Sequence, residues 1–465
     1  MRTTREPKHF YFMGICGTAM GAVAAGLKDL GHRVSGSDGA VYPPMSTFLA
    51  SKGIPILAPF SAANLPVDVD HIVIGNAMSR GNPEVEEVLN RKLAYLSLPE
   101  VLKEQFLRGK RNLVVTGTHG KTTTTSILTW LLEEAGGNPD FMIGGLPANF
   151  GMGCRLGGET DFVVLEGDEY DTAFFDKRSK FVHYLPEIVV INNIEFDHAD
   201  IFADLEAIKL SFRRLLNLVP ANGVVVINGD DPNCLEVASG CWAKVISVGF
   251  GAGCSVRIED AEYLPDGSRF LLDGHRCEMG LSGEFNVRNA AMALTAARAA
   301  GFPARALAGA LPGFLGVARR QEVRGETARG IVVVDDFGHH PTAMREALAG
   351  MRRKFPGRRL WAIFEPRSNT TRRRVFQNDL PDALSGADGV CIASVPNPEK
   401  VAAENRLDPD LVARELVGRG VEAYHEPNAD AIVSRLALQA RDGDVLIVFS
   451  NGGFDRIHDK LLAAM

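Results

Sequence analysis

A glycine-rich loop followed by a lysine and two threonines has the residue types that bind a nucleoside triphosphate. An apolar run ending at Thr116 precedes the loop, and a helical pattern follows it. Backbone amides at such a turn face phosphate, while the Lys and a Thr hydroxyl reach outer phosphates and Mg²⁺. Val115 stands where the general P-loop has its first glycine, so this is a variant loop or a chance match. The residues predicted to bind ATP here are Gly117, Thr118, His119, Gly120, Lys121, Thr122 and Thr123.

Acidic residues follow the next apolar strand, and Glu166 begins a stretch with four acids in six residues. Closely spaced carboxylates repel one another unless a cation neutralises them, and Mg²⁺ prefers hard oxygen ligands. His198 lies in a polar segment after the strand at residues 188–191. We expect the carboxyl ends of these two strands to lie side by side, which makes His198 a candidate ligand of a second metal ion. A solvated acidic loop and a structural histidine are the alternatives.

A second glycine-rich turn lies at residues 14–21 and has the spacing G-x-x-G-x-x-x-G. This spacing departs from the dinucleotide-binding pattern, so a close-packed turn is an equal interpretation. Asp38 ends the next strand, where its carboxylate can accept a hydrogen bond from a ribose or a uracil. The turn and Asp38 together favour a nucleotide site.

Polar residues also follow two strands in the last third of the chain, at residues 335–341 and 364–370. In the second segment, Arg367 is suited to bidentate capture of a carboxylate, and Ser368 and Asn369 add directional hydrogen bonds. An ordinary solvated turn is the alternative. The segment predicts a site for a polar second substrate that carries a carboxylate.

Three strand–turn–helix units position these residues, and they predict an α/β fold. The chain has 465 residues, which is too long for one hydrophobic core. We predict three α/β domains at residues 1–108, 109–317 and 318–465. Alternating runs between about Val245 and Met279 predict antiparallel strands at the edge of the middle sheet.

Composition excludes several classes of protein. The net charge of −7 argues against binding to nucleic acid. No apolar stretch approaches the roughly 18 residues needed to cross a bilayer, and the first residues lack a secretory pattern. The seven scattered cysteines include no C-x-x-C pair, which favours a reducing cytoplasm over a disulfide framework or a zinc ribbon.

Taken together, these residues resemble the Mur ligase family, which joins amino acids or peptides to UDP-N-acetylmuramoyl precursors of peptidoglycan. The resemblance covers nearly the whole chain. It implies a three-domain architecture with a Rossmann-like N-terminal domain, a central P-loop-type ATPase domain and a Rossmann-like C-terminal domain. The motifs that carry it are residues 117–123, Glu166, residues 193–195, 197–198, 285–286, 289–290 and 319–320, and residues 335–341.

The resemblance also implies a reaction and a set of site residues. A muramoyl carboxylate attacks the γ-phosphate of ATP, and an amine then attacks the resulting acyl phosphate and expels phosphate. The implied catalytic residues are Lys121, Glu166 and His198, and the implied Mg²⁺ ligands are Thr122, Glu166 and His198. ATP would also contact Asn286, Asn289, Arg320 and Asp336, and the UDP-sugar would contact Gly14, Cys16, Gly17, Thr18, Met20 and Asp38. Arg367, Ser368 and Asn369 would bind the incoming peptide.

Within the family, four stretches resemble members that use a preformed peptide, namely residues 36–38 with 42–47, residues 169–180, residues 196–200 and residues 365–370. The resemblance implies UDP-N-acetylmuramate and the recycled murein tripeptide L-alanyl-γ-D-glutamyl-meso-diaminopimelate as substrates. Lys209 stands where several relatives carry a carbamylated lysine, and we leave it out of the catalytic set.

Three alternatives differ in function. The first is the family member that adds L-alanine to UDP-N-acetylmuramate. The second is a folylpolyglutamate synthetase, which the extra N-terminal nucleotide-like domain disfavours. The third is a nucleotide-gated binding module that hydrolyses ATP without joining two substrates, which the acidic cluster and the complete third domain disfavour.

Overall fold

The computed structural model describes residues 6–465, so residues 1–5 and the part of the secretory prediction that rests on them lie outside it. The first sheet is entirely parallel, and its central strand of sequence HFYFM is buried along its whole length. Helices cover both faces of such a sheet, which explains the continuous apolar run. The strands, in spatial order, are β3 (Ile56–Leu57), β2 (Arg33–Ser37), β1 (His9–Met13), β4 (His71–Ile74) and β5 (Tyr95–Ser97). The helices are α1 (Thr18–Asp29), α2 (Met45–Ser51), α3 (Pro83–Asn90) and α4 (Leu98–Leu102).

The second sheet has ten strands and holds the phosphate loop near its middle. In spatial order they are β17 (His275–Met279), β16 (Gly267–Leu272), β15 (Val256–Leu264), β14 (Lys244–Gly249), β13 (Val224–Asn228), β12 (Ile188–Ile191), β6 (Arg111–Thr116), β9 (Phe162–Glu166), β7 (Asp140–Met142) and β8 (Cys154–Arg155). A separate hairpin consists of β10 (Asp171–Ala173) and β11 (Asp176–Ser179). The helices are α5 (Lys121–Glu134), α6 (Leu205–Leu216), α7 (Pro232–Ala238), α8 (Glu284–Ala299) and α9 (Ala304–Ala310).

The third sheet has six strands, of which only the edge strand β18 runs antiparallel to its neighbour. In spatial order they are β18 (Glu322–Glu326), β19 (Val332–Asp336), β23 (Val445–Phe449), β20 (Leu360–Phe364), β21 (Gly389–Ala393) and β22 (Glu422–Glu426). The helices are α10 (Pro341–Lys354), α11 (Asp379–Leu384), α12 (Pro409–Gly418), α13 (Ala429–Gln439) and α14 (Ile457–Ala464). Two buried clusters, one on each face of this sheet, form its core.

The predicted α/β fold is confirmed, and two details of the middle sheet differ from expectation. The strand at Lys244–Gly249 is parallel to its neighbours, and at this edge of the sheet antiparallel pairing begins between β15 and β16. The expectation that the strands ending at Glu166 and Ile191 are neighbours is wrong, because β6 lies between β9 and β12. The phosphate loop that follows β6 is therefore flanked by polar segments on both sides.

Within the described residues, no helix combines the length and the apolar composition needed to cross a bilayer.

Helix α5 carries the phosphate loop and depends on the central core for its position. Leu131 is fully buried in the cluster between this helix and the sheet. We predict that Leu131→Ala lowers the free energy of unfolding by about 2–5 kcal/mol, because truncation of a buried leucine leaves a cavity. Leu210→Ala on α6 is the matched control, since Leu210 is 45% exposed. Urea unfolding followed by circular dichroism checks this, and equal losses in the two variants would contradict it.

Candidate active site

The phosphate loop turns sharply between β6 and α5 because two of its residues adopt backbone conformations that favour glycine. Gly117 has φ +130° and Gly120 has φ +76°. A Cβ at Gly117 would meet the backbone nitrogens of Asn192 and Asn193 at 3.0 Å, and one at Gly120 would meet Asn289 Oδ1 at 2.6 Å. The loop is further held to the segment after β12, since His119 N donates to Asn193 Oδ1 at 2.7 Å. Neighbouring backbone and side chains therefore fix the path of this loop.

A buried ion pair links the loop to the acidic segment after β9. Lys121 Nζ lies 2.9 Å from Glu169 Oε2, and the side chains are 12% and 3% exposed. Glu169 Oε1 lies 3.1 Å from His198 Nε2, so one carboxylate joins segments that follow three adjacent strands. Although burial opposes ionisation, Lys121 and His198 lower the pKa of Glu169 to about 2. Burial likewise opposes protonation of His198, yet Glu169 raises its pKa.

Glu166 faces the same region without a directly paired cation. Its Oε1 accepts a hydrogen bond from Thr122 Oγ1 at 2.8 Å, and its Oε2 accepts one from Gly144 N at 2.6 Å. Burial, and then the charge of Asp168, raise the pKa of Glu166. A divalent cation beside Thr122 would stabilise the ionised form of Glu166, since Mg²⁺ binds hard oxygen ligands. The residues present therefore fit a magnesium ion.

The other three acids of the stretch each pair with a lysine. Asp168 pairs with Lys180 at 3.2 Å, and Asp171 pairs with Lys177 at 2.6 Å. Glu169, Asp168 and Asp171 thus each have a cationic partner. Of the four acids, only Glu166 combines burial with the absence of a salt-bridge partner.

The C-terminal domain contributes the segment after β20 to the same site. Thr370 Oγ1 donates to Asp197 Oδ1 at 2.7 Å, and Asn369 Nδ2 donates to Asp200 Oδ2 at 2.7 Å. Arg367 is exposed and packs over Gly452, where a Cβ would collide with its guanidinium. These contacts bring the predicted peptide segment beside His198.

A cavity of about 560 Å³ lies between the central and C-terminal domains. The predicted catalytic residues Lys121, Glu166 and His198 line it, as do the predicted nucleotide residues Asn286, Asn289, Arg320 and Asp336 and the predicted peptide residues Arg367, Ser368 and Asn369. Loop residues 118–123 also line it, whereas Gly117 lies behind them against residues 192–193.

Several polar atoms on this wall are buried and lack a hydrogen-bond partner among residues 6–465. Such atoms are costly to bury unless a ligand or water pairs with them. Their position suits a large polar ligand such as a nucleotide. The atoms are His119 Nε2, Asn192 Oδ1, Arg288 Nε, Asn289 Nδ2, Gln321 Nε2 and Asn451 Oδ1.

Three more residues that are predicted to contact the nucleotide form hydrogen bonds within the protein. Asn286 Nδ2 donates to Ser282 O at 2.9 Å, and Arg320 donates to Thr122 Oγ1 at 3.2 Å. Asp336 accepts from Gly338 N at 2.6 Å and Gln321 N at 3.0 Å, and burial raises its pKa. Arg320 thus connects the start of the C-terminal domain to the Thr122–Glu166 pair.

The predicted UDP-sugar residues lie away from this cavity, at the turn between β1 and α1. Asp38 accepts a hydrogen bond from Cys16 N at 2.9 Å, which ties the end of β2 to the turn. Gly17 and Thr18 are exposed at the start of α1, whereas the Met20 side chain is buried in the domain core. Gly14 has φ +81°, as a tight turn requires. The UDP-sugar assignment stays a prediction.

Sequence reasoning missed Glu169 and Thr370 as members of the site. Both stood inside motifs that were noted, but neither sequence position reveals its partners. Lys209, which is not in the predicted catalytic set, pairs with Glu236 at 2.7 Å and Glu206 at 3.0 Å and does not line the cavity.

The Lys121–Glu169 pair makes a prediction about stability and pH. The pKa of Glu169 falls from its ordinary 4.5 to about 2 on folding, so its contribution is present above pH 4.5 and is lost as pH falls through about 2. Glu169→Gln should destabilise the protein by about 3–5 kcal/mol near neutral pH, since it leaves Lys121 buried without its partner. The difference in the free energy of unfolding between this variant and the unsubstituted protein should become smaller below about pH 4.5.

Thermal unfolding between pH 7 and pH 3 measures this effect. Glu259→Gln is the matched control, because Glu259 is exposed on β15 and pairs with Arg257 on the surface. If the loss of stability caused by Glu169→Gln stays constant across this pH range, the result would contradict the assigned ion pair.

Three family models match successive parts of the chain. The model described as Mur ligase family, catalytic domain, matches residues 9–110. The Mur ligase middle domain matches residues 115–297, and the model described as Mur ligase, glutamate ligase domain, matches residues 319–452.

Individual proteins match over nearly the full length. The UDP-N-acetylmuramate–L-alanyl-gamma-D-glutamyl-meso-2,6-diaminoheptandioate ligase of Escherichia coli is 43% identical over 462 residues, with 97% of each chain covered. The UDP-N-acetylmuramate–L-alanine ligase of Methylibium petroleiphilum is 34% identical over 476 residues, with 98% of this chain and 97% of the relative covered. The crystal structure of a murein peptide ligase from Psychrobacter arcticus gives a TM-score of 0.73 at 34% identity, with 98% of both chains covered. The chain therefore belongs to the Mur ligase family.

Proposed function

We propose that the chain is an ATP-dependent ligase that joins L-alanyl-γ-D-glutamyl-meso-diaminopimelate to UDP-N-acetylmuramate. The carboxylate of the sugar takes the γ-phosphate of ATP, and the amine of the peptide then attacks the acyl phosphate and expels phosphate. The products are UDP-N-acetylmuramoyl-tripeptide, ADP and phosphate. This reaction recycles a murein peptide into the precursors of the cell wall, and we assign it to the cytoplasm.

The observation that carries the proposal is that the phosphate loop, Glu166, His198 and the Arg367 segment line one and the same cavity. Phosphoryl transfer needs positioning and neutralisation of charge more than covalent chemistry. In our assignment Lys121 holds the outer phosphates, and Thr122, Glu166 and His198 hold Mg²⁺. Bound Mg²⁺ neutralises phosphate charge, while the protein excludes water and positions the sugar carboxylate near the amine.

The assignment of the peptide substrate rests on Arg367, Ser368 and Asn369. It also rests on a comparison of relatives from two substrate classes, the tripeptide ligases and the alanine ligases. The relative named for the tripeptide substrate is 43% identical, compared with 34% for the alanine ligase. Arg367 is 45% exposed and lies 3.8 Å from Glu365 Oε1, and in our assignment its guanidinium forms a bidentate contact with a peptide carboxylate. Addition of L-alanine is the second candidate, because that relative also matches almost the whole chain.

The proposed division into domains follows the sheets. We assign UDP-sugar binding to residues 1–108, ATP binding to residues 109–317 and peptide binding to residues 318–465. Because the proposed sites come from three domains, catalysis requires the domains to close around one carboxylate.

The first functional prediction concerns the amine substrate. With ATP, Mg²⁺ and UDP-N-acetylmuramate present, the tripeptide should support phosphate release with a kcat/KM at least tenfold higher than that of L-alanine. The product should be UDP-N-acetylmuramoyl-tripeptide by mass spectrometry. A preference for L-alanine would identify the second candidate, and phosphate release independent of any amine would identify a nucleotide-hydrolysing binding module.

The second functional prediction concerns Arg367. Arg367→Ala should raise the KM for the tripeptide at least tenfold and leave the KM for ATP nearly unchanged, since a lost charge-assisted hydrogen bond costs about 1.5–3 kcal/mol. Arg374→Ala is the matched control, because Arg374 is exposed nearby, bonds to Arg406 O and does not line the cavity. Equal effects of Arg367→Ala on both KM values would overturn the role.

A further inference from the structure

A histidine cluster lies where the phosphate loop meets the C-terminal domain. We use this name for His119 on the loop, Glu195 after β12, and His340 at the start of α10. One ligand atom of each residue lies within 4.8 Å of the other two. The imidazole rings of His119 and His340 are in contact, with centroids 4.2 Å apart. These three residues are separate from the proposed magnesium ligands.

The distances suit a small metal ion. Glu195 Oε2 lies 3.5 Å from His119 Nε2 and 3.5 Å from His340 Nδ1. A tetrahedral site with metal–ligand bonds of about 2.0–2.1 Å has ligand–ligand separations of about 3.3–3.4 Å. The ligand atoms of His119 and His340 lie within 4.8 Å of each other, so the two Glu195 distances already match this geometry and any remaining adjustment is a closer approach of the two imidazoles.

The three facing ligand atoms of the cluster form few hydrogen bonds. His119 Nε2 is buried and has no hydrogen-bond partner within residues 6–465. His340 Nδ1 accepts only a long bond of 3.2 Å from Thr342 N, and Glu195 Oε2 accepts one of 2.7 Å from Thr342 Oγ1. An ion would replace these bonds of Thr342 and would also bind His119 Nε2, whose contact with Glu195 at 3.5 Å is not a hydrogen bond.

The hydrogen bonding of His340 directs its lone pair toward the cluster. His340 Nε2 donates to Phe196 O at 3.2 Å, so the lone pair of the neutral ring is on Nδ1, which lies 3.5 Å from Glu195 Oε2. Two imidazoles and one carboxylate form a ligand set that zinc-class ions prefer and that Mg²⁺ does not.

We propose that His119, Glu195 and His340 form a binding site for a divalent transition-metal ion of the zinc class, distinct from the magnesium site. Because His119 and Glu195 belong to the central domain and His340 to the C-terminal domain, the ion bridges the two domains. His119 and His340 also line the 560 Å³ cavity, so the fourth coordination position is open to water on that side.

Co²⁺ is the probe, because tetrahedral Co²⁺ has a visible absorption spectrum that Mg²⁺ lacks. The metal-free full chain is titrated with Co²⁺ in excess Mg²⁺ and without nucleotide. The unsubstituted protein should bind one Co²⁺ with a tetrahedral spectrum free of thiolate charge-transfer bands, and Zn²⁺ should displace it.

Two conservative variants test the ligands. Glu195→Gln keeps an oxygen that accepts from Thr342, and His340→Asn keeps a helix-capping side chain. Each should weaken Co²⁺ binding at least tenfold. His275→Gln is the control, since His275 is exposed on β17 and its Nδ1 contacts Asp273 O, and this variant should bind Co²⁺ like the unsubstituted protein.

The proposal is overturned if the unsubstituted protein binds no Co²⁺ under these conditions. It is also overturned if either ligand variant retains the original affinity, or if thiolate bands identify a cysteine ligand.

Discussion

The buried ion pair between Lys121 and Glu169 is the interaction on which the central site depends. Removing two charges from water is costly, and the cost is offset only when their geometry is good and the remaining hydrogen-bonding capacity is used. Here Lys121 also donates to Gly117 O at 2.7 Å, and Glu169 also contacts His198. The pair therefore fixes the relative positions of the loop after β6 and the segments after β9 and β12.

Residues 195–200 extend this arrangement to the C-terminal domain. Glu195 bonds to Thr342, Asp197 bonds to Thr370, and Asp200 bonds to Asn369. The same short segment also carries His198, which contacts Glu169. A shift of the C-terminal domain must therefore alter the surroundings of the ion pair, which couples domain position to the geometry of the phosphate loop.

Local order in the sequence was enough to predict the phosphate loop, the α/β fold and the family, and the last two are confirmed. The loop could be identified because strand, glycines, lysine, threonine and helix are consecutive in the chain. The position of β6 between β9 and β12 could not be predicted, because strand order depends on contacts between residues that are distant in sequence. For the same reason Glu169 was seen only as one acid among four, and its pairing with Lys121 and His198 appeared only in three dimensions. The domain boundaries and the assigned site residues stay predictions.

The two glycines of the phosphate loop have a consequence for inhibitor resistance. A ligand that binds the backbone amides of this loop does not depend on a side chain that mutation can remove. Replacing Gly117 would press a Cβ against the backbone of Asn192 and Asn193, and replacing Gly120 would press one against Asn289. Both substitutions would also impose an unfavourable φ on a residue with a side chain. A resistance mutation at either glycine would therefore disrupt the fold of the loop as well as the binding of the inhibitor.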